Sequence, residues 1–315
     1  MPLKTHTFSA VIANYNHSEL IMNTLDAALG QTIPFDEIII IDDASTDNSV
    51  AVIEKRIAGH ANARLIKSPK NQGVVATVNL GLHQAVGDFI FFMSADDEFN
   101  HHIVEWCQPV LAAYPDVGMI CGNISVHNID TGDERQFRLP FPQVMARYTV
   151  DDITAIAKNR SFTFLGGANM LRREAMIRVG NQVPELKWSG DWLLYLLLGY
   201  RHPFAVIPET FIRIRQTSDQ YSNGIHVWET QRPVIENFIR ILQRDYPNEY
   251  PLFRRTAVLP SYDIQTLFML LGDKSLRHYL TPLLVWRLLS FKALRSIGRL
   301  LPDTLQNSLR KLLRV

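Results

Sequence analysis

FIFFMSADD, Phe89 to Asp97, is the stretch whose reading decides the fold. Its apolar head, Phe89–Met93, is short enough for a buried strand and bulky enough for a sheet covered on both faces. The run then stops at Ser94-Ala95-Asp96-Asp97, a small polar turn with two adjacent carboxylates. Carboxylates are seldom buried unless paired or bound to a cation, so one reading is a hard-metal site at the carboxyl edge of a sheet. The plainer reading is a helix N-cap, because Asp is favoured there and acids suit a first helical turn.

Working outward, the same alternation repeats. Phe8–Ala13 is predicted as a first strand, followed by the turn Asn14-Tyr15-Asn16-His17-Ser18 and a helix over Glu19–Gln31 that Ser18 is placed to cap. Glu37–Ile41 is a β-branched strand ending at Asp42-Asp43. Helix over Ser45–Arg56, strand over Ala63–Lys67 and helix over Val74–Ala85 lead into the opening strand. Helix over Val104–Tyr114 and strand over Gly118–Cys121 follow it. Strand, helix, strand in this order implies parallel strands joined by right-handed crossovers. In such sheets ligands bind beyond the carboxyl ends of strands, where Asn14–Asn16, Asp42–Asp43 and Ser94–Asp97 all fall.

Two nucleotide signatures and one hydrolase signature are missing. ANYNHS stands where a G-x-G-x-x-G would follow the first strand, and neither a phosphate loop nor a G-x-S-x-G elbow occurs. Any nucleotide must therefore be held by side chains and a metal. At 315 residues the chain is long enough for one large or two modest domains. A net charge of +1 gives no global pull toward nucleic acid. Cys107 and Cys121 are too few for a zinc knuckle or a disulfide framework and fit a reducing compartment. The N-terminal residues lack the apolar core of a secretory signal, and no apolar stretch approaches the ~20 residues of a spanning helix.

Beyond residue 122 the pattern loosens. Asn123–Val150 mixes turns with a Pro-flanked segment expected to cover a sheet edge. Gly166 and Gly167 mark either a simple turn or a place where a ligand approaches the backbone. Arg172–Val179 is predicted helical. Trp188-Ser189-Gly190-Asp191 opens another apolar run, with a helix cap as the plainer use of Asp191. A strand is expected over Phe204–Ile207. In Phe211–Ser218, alternation puts Arg213 and Arg215 on one face, to neutralise a diphosphate or simply to sit solvated on an edge strand. From Val227 onward only helical spacing remains. Over Trp286–Val315, Arg287, Lys292, Arg295, Arg299, Arg310, Lys311 and Arg314 face the single acid Asp303. Basic amphipathic helices of this kind suit an anionic membrane surface, and a subunit interface is the competing use.

Taken together, FSAVIANYNHSELIMNTLDAALGQT, DEIIIIDDASTDNS, NQGVVATVNLGLHQAVGDFIFFMSADDEF and GGANMLRREAMIRVG resemble family 2 glycosyltransferases, from about Phe8 to Gly180, with a looser match through GDWLLYLLL and RIRQTS. The resemblance implies an α/β GT-A fold: a Rossmann-like, mostly parallel central sheet flanked by helices, over residues 1–222. A helical extension over 223–315 lies outside it. It also implies an inverting transferase using a nucleotide sugar, with UDP the expected nucleotide and a cell-surface glycan the expected acceptor; a lipid-linked acceptor would agree with the basic C-terminal helices. Tyr15 and Asp43, with Asn14 and Asn16 beside them, match positions that hold the nucleotide base. Gly73 and Asn79 match a loop and helix start near the nucleotide. Asp96 matches the ligand of a Mg²⁺ or Mn²⁺ ion bridging the donor diphosphate, with Asp97 in support. Where relatives carry Asp-x-Asp, this chain has Ser94-Ala95-Asp96, which leaves a hydroxyl for the ribose. Gly166, Gly167 and Trp188 fall where donor sugar and acceptor meet. Asp191 is similar to the family's catalytic base, although Gly190 replaces the common Glu before it; Glu185 is the reserve.

The implied location is cytoplasmic, peripheral at the inner face of the cell membrane, with no nucleic-acid partner and with homo-oligomerisation as an alternative use of the C-terminal helices. Two other functions compete. One is a partner subunit that binds nucleotide sugar without turnover. The other is a nucleotidyltransferase, disfavoured because ANYNHS offers no basic Gly-rich loop for a triphosphate.

Overall fold

The computed structural model describes residues 6–217 and 221–298. The chain divides into two compact units, one of Met1–Ile153 with Phe162–Asn223 and one of Thr154–Ser161 with Gly224–Val315. The second takes in Thr154–Ser161, which the sequence reading assigned to the first.

In the first unit, β1 (Phe8–Asn14), α1 (Ile21–Leu29), β2 (Glu37–Asp42), α2 (Ser49–Ile57), β3 (Ala63–Lys67), α3 (Val74–Gln84) and β4 (Phe89–Ser94) alternate in chain order. Their strands pair in parallel as β3-β2-β1-β4. Four successive isoleucines, Ile38–Ile41, are at most 1% exposed, so β2 is covered on both faces as its unbroken apolar sequence requires. Phe89, Ile90 and Phe91 of β4 are equally buried.

Next come β5 (Glu98–Phe99), α4 (Ile103–Ala113), β6 (Met119–Asn128), β7 (Glu134–Phe137), β8 (Ala146–Tyr148), α5 (Val150–Ala157), β9 (Asn169–Arg172), α6 (Arg173–Val179), α7 (Gly190–Arg201) and β10 (Phe204–Gln216). They extend the sheet as β4-β9-β6-β10-β5, with β7 on β6 and β8 on β10. β6 and β10 pair in parallel, while β9 runs antiparallel to both of its neighbours. Three local expectations change. The strand over Gly118–Cys121 continues to Asn128 and hairpins into β7. Phe204–Ile207 and the arginine stretch are one strand, bent by register shifts around Thr210. β9 occupies residues that had no strand pattern at all.

The second unit contains α8 (Trp228–Asp245), α9 (Tyr250–Thr256), α10 (Ile264–Gly272) and α11 (Pro282–Gly298). α8 buries Val234, Ile235, Phe238, Ile239 and Leu242, the stripe that helical periodicity selects. Arg287 corrects the reading of α11. It is 5% exposed and donates to the carbonyls of Thr256, Ala257, Ala157 and Arg160. A cation with that many backbone acceptors is a core strut of the unit and cannot also face a membrane. Of the other basic residues in that stretch, Arg299, Arg310, Lys311 and Arg314 lie outside the described residues, as does Asp303. Among the described residues no helix is long and apolar enough to cross a membrane.

Candidate functional site

Strand register gathers the polar clusters. Asn14 pairs with Asp42 across β1 and β2, and Ala13 pairs with Ser94 across β1 and β4, so the carboxyl ends of three neighbouring strands finish within one residue of each other. Asp42 is the hub of the first cluster. Its Oδ2 accepts from Asn14 Nδ2 at 2.7 Å and Ser45 Oγ at 2.6 Å, and its Oδ1 from the Ser45 amide at 2.9 Å. The Asn16 amide donates to Ser45 Oγ, and the Asn16 side chain accepts from the Thr46 amide. The turns after β1 and β2 are thereby fixed to each other, and Tyr15 is left 42% exposed at the edge. A large aromatic face in solvent beside this network is what a base-stacking residue needs. Asn14, at 2% exposure, leaves its Oδ1 unpartnered.

Asp43 is 3% exposed and accepts from the amides of Gln72 and Gly73, the latter at 2.7 Å. Its carboxylate thus pins the loop before α3, and Gly73 meets it with φ 87, a backbone angle that favours glycine. Asn79 lies inside α3, and both ends of its amide hold the backbone of Gln182, Nδ2 to the carbonyl at 2.9 Å and Oδ1 from the amide at 2.8 Å. Asn79 thereby clamps the segment that leads to Trp188 and Asp191.

The SADD turn is not a helix cap. β4 turns directly into β5, and the next helix begins at Ile103. From α1, the buried Thr24 hydroxyl lies 3.1 Å from both the Ser94 and Asp97 carbonyls, holding the turn from beneath. Ala95 is buried, Ser94 is exposed and donates to Oδ1 of Asp96, and both acids are half-buried. Burial, followed by repulsion from Asp96, pushes Asp97 up to about 7, against the pull of the Arg215 amide on its Oδ1 at 3.2 Å. Two adjacent carboxylates, one of them averse to its charge, suit a shared cation. Among the described residues no group of three or more His, Cys, Asp or Glu forms a cage for a metal. Asp96 and Asp97 would suit an ion such as Mg²⁺ or Mn²⁺, which can be held by one or two carboxylates with the remaining ligands from substrate phosphates and water.

Arg213 and Arg215 do share a face, but their charge is already engaged. Arg213 meets Glu98 at 3.1 Å and Glu134 at 3.1 Å, and Arg215 meets Glu98 at 3.4 Å. Two acids offset two cations, so a diphosphate would share these guanidinium groups with Glu98 and Glu134. Glu98 directly follows the acidic pair, and its pairing with this strand was invisible before β5 was placed.

β9 completes the site. Because it runs antiparallel to β4, its leading end, at Asn169, lies toward the edge where β4 terminates, and it brings Gly166 and Gly167 with it. Gly167 has φ 72, and a β-carbon there would lie 2.9 Å from Ile212 Cδ1. At Gly166 an added β-carbon would sit 3.4 Å from Asp191 Oδ2, so the glycine pair and the acid are neighbours. Asp191 is in the first turn of α7 behind the N-cap Ser189, and its Oδ1 accepts from the Trp192 amide at 2.7 Å. Burial pushes its carboxyl up to about 6 in spite of that bond. Tyr195, one turn later and buried, is hydrogen-bonded by the Gly167 amide and by Asn169, whose Nδ2 also holds the Leu165 carbonyl. Trp188 is half-buried with Lys187 over its ring, and the reserve acid Glu185 is exposed.

Residues 9–180 match the model of Glycosyl transferase family 2, more than half of the chain. The chain belongs to that family. Among curated relatives, the amylovoran biosynthesis glycosyltransferase AmsE of Erwinia amylovora is 25% identical over 215 residues, 67% of this chain and 77% of that protein. The chondroitin synthase of Escherichia coli is 32% identical over 122 residues, 39% of this chain and 17% of that protein. An uncharacterized glycosyltransferase of Haemophilus influenzae is 36% identical over 97 residues and is covered to 37%. The chain thus spans well under half of the latter two. The S. aureus TarS 1–349 structure in complex with UDP superposes with a TM-score of 0.55 over 79% of this chain and 74% of its own at 17% identity, which shows the shared GT-A fold.

Proposed function

We propose that this family 2 protein is an inverting, divalent-metal-dependent glycosyltransferase that moves one sugar from a UDP-sugar to a cell-surface glycan or a lipid-linked acceptor. The observation that carries the reading is the pairing of Asp191 with the Gly166–Gly167 turn at the sheet edge that also bears Tyr15, Asp43 and Asp96. One side of the edge offers an aromatic face and acceptors for a nucleotide. The other offers a carboxyl of raised pKa beside a backbone without side chains, where a sugar could lie close. The UDP and UDP-GlcNAc complexes of TarS support uracil as the base.

In this reading Tyr15 stacks on the base and the Asp43 network shapes its pocket, with Asn14 and Asn16 fixing the turn. Ser94 faces the ribose. Asp96, with Asp97 beside it, would hold Mg²⁺ or Mn²⁺, which when bound supplies positive charge for the departing diphosphate. Asp191 accepts the proton of the acceptor hydroxyl as its oxygen attacks the anomeric carbon opposite the leaving group. A carboxyl near 6 is well matched to that task, because it is ionised at neutral pH yet more basic than an ordinary aspartate. Arg213 and Arg215 act through Glu98, fixing the strand beneath the acidic turn.

The test is transfer from UDP-sugars by purified protein compared with Asp191→Asn. Loss of transfer by at least about a hundredfold with donor binding retained is expected for a lost general base. Equal activity in the variant would remove Asp191 from the mechanism. A wild-type protein that binds UDP but turns over no donor would favour the partner-subunit reading.

A further inference from the structure

Two helices of the second unit flank a cleft. Helical spacing sends Gln265, Phe268, Met269 and Gly272 to one face of α10, and Trp228 and Arg232, one turn apart at the start of α8, line the other wall. Asp273 and Lys274 close the end beyond α10. The volume is about 680 Å³, inside the ~300–1,000 Å³ of small-ligand sites. Phe268 is 65% exposed here, while Leu267 and Leu270 of the same helix are buried. At Gly272 an added β-carbon would meet nothing within 4 Å, so the α10 wall is open at that point.

The lining selects a class of ligand. Met269 is its aliphatic member and is 8% exposed, which offers little to a lipid chain or a leucine-rich helix. The Trp228 and Phe268 rings are flat apolar faces whose negative π-clouds attract the polarised C–H bonds of a pyranose. Around them stand groups that meet hydroxyls in both senses. Gln265 donates and accepts, Asp273 accepts, and Arg232 and Lys274 donate. Two of these are already held and neutralised, Arg232 by Glu236 at 2.8 Å and Asp273 by Arg240 at 3.2 Å. Lys274 is exposed and makes no ion pair among the described residues, so its charge is available to an anion.

We propose that the cleft between α8 and α10 is a carbohydrate site that binds a segment of an acidic glycan, with pyranose rings against Trp228 and Phe268 and a sugar carboxylate at Lys274. It lies within the second unit and needs neither nucleotide nor turnover. It therefore goes beyond the proposed transfer reaction and fails or stands without it. For an enzyme that extends a glycan, a site of this kind raises the effective concentration of the chain end.

The experiment is calorimetric titration of the full chain, without nucleotide, with a hyaluronan hexasaccharide, which carries glucuronate carboxylates, and with chitohexaose, which is neutral. The acidic chain should bind more tightly by about threefold or more, and Lys274→Gln should close that gap. Phe268→Ser should weaken both by at least about threefold. Gly272→Leu should fill the cleft and abolish binding of both, with a melting temperature at or above the wild type's, since glycine is a poor helix former and the added side chain meets no neighbour at its root. Asp191→Asn should bind like the wild type. Absence of saturable binding by the hyaluronan hexasaccharide, equal binding of the two saccharides, or undiminished binding by Gly272→Leu would overturn the proposal, the last by assigning the saccharide to another part of the chain.

Discussion

Asp191 illustrates how one carboxyl answers to two demands. Burial favours its neutral form, whereas its proposed work requires the charged one. As a base it must be deprotonated, so kcat/KM is expected to rise with pH through about 6 and then level, a profile that a titration of initial rates will show. The same raised pKa costs stability when the group ionises: its favourable contribution is complete below the ordinary carboxylate range and is lost as pH climbs through about 6. Asp191→Asn should therefore be more stable than wild type at neutral pH, by on the order of 1–3 kcal/mol, while inactive. A thermal melt at neutral and at acidic pH checks this, with the difference between the proteins shrinking toward acid. The sequence could single out Asp191 through its resemblance, but not the environment that tunes it. Gly166, Tyr195 and Asn169 lie 22 or more residues away or one helical turn on, and only the fold brings them together. Thr24 was equally hidden, one polar residue on a buried helix face whose bond to the SADD turn no local pattern announces.

Elements were legible where their periodicity was strong and local. The βαβ repeats from β1 to β4 follow from alternating apolar runs and helical stripes, and their bounds shift by only a few residues. β9 was not legible, because Asn169–Arg172 is four residues long and follows a glycine pair, and its identity as a strand depends on β4 and β6 being already in place on either side. The consequence is large, since β9 is what directs the glycine pair toward the acidic edge. The tie made by Asn79 was hidden for a related reason: its partner, Gln182, is 103 residues away. Because its two bonds fix the approach to Trp188 and Asp191, Asn79→Ala should lower kcat with little change in donor KM, and should cost about 1–3 kcal/mol in stability. Steady-state kinetics with the donor varied, alongside a urea melt, separates this from the sequence expectation of a nucleotide contact, which would raise donor KM instead.

At the scale of the whole molecule, the chain's charge pattern was read correctly as a sequence and incompletely as a surface, since Arg287 belongs to the interior of the second unit. Its replacement by Met should leave several carbonyls without their donor and destabilise that unit by on the order of 3 kcal/mol or more. Hydrogen exchange would register the loss in α9 and α11, and unchanged protection there would refute the strut. The central claim concerns the other unit, where β1, β2 and β4 end together at the site proposed for a nucleotide diphosphate and its cation. The most direct measurement is the melting temperature of the wild type, Asp191→Asn and Asp96→Ala with UDP, in the presence and absence of Mn²⁺, since a ligand that binds only the folded state raises apparent stability by mass action. The account predicts metal-dependent stabilisation by UDP in the wild type and in Asp191→Asn, and its loss in Asp96→Ala. Stabilisation by UDP that is indifferent to Mn²⁺, or that survives Asp96→Ala intact, would contradict it.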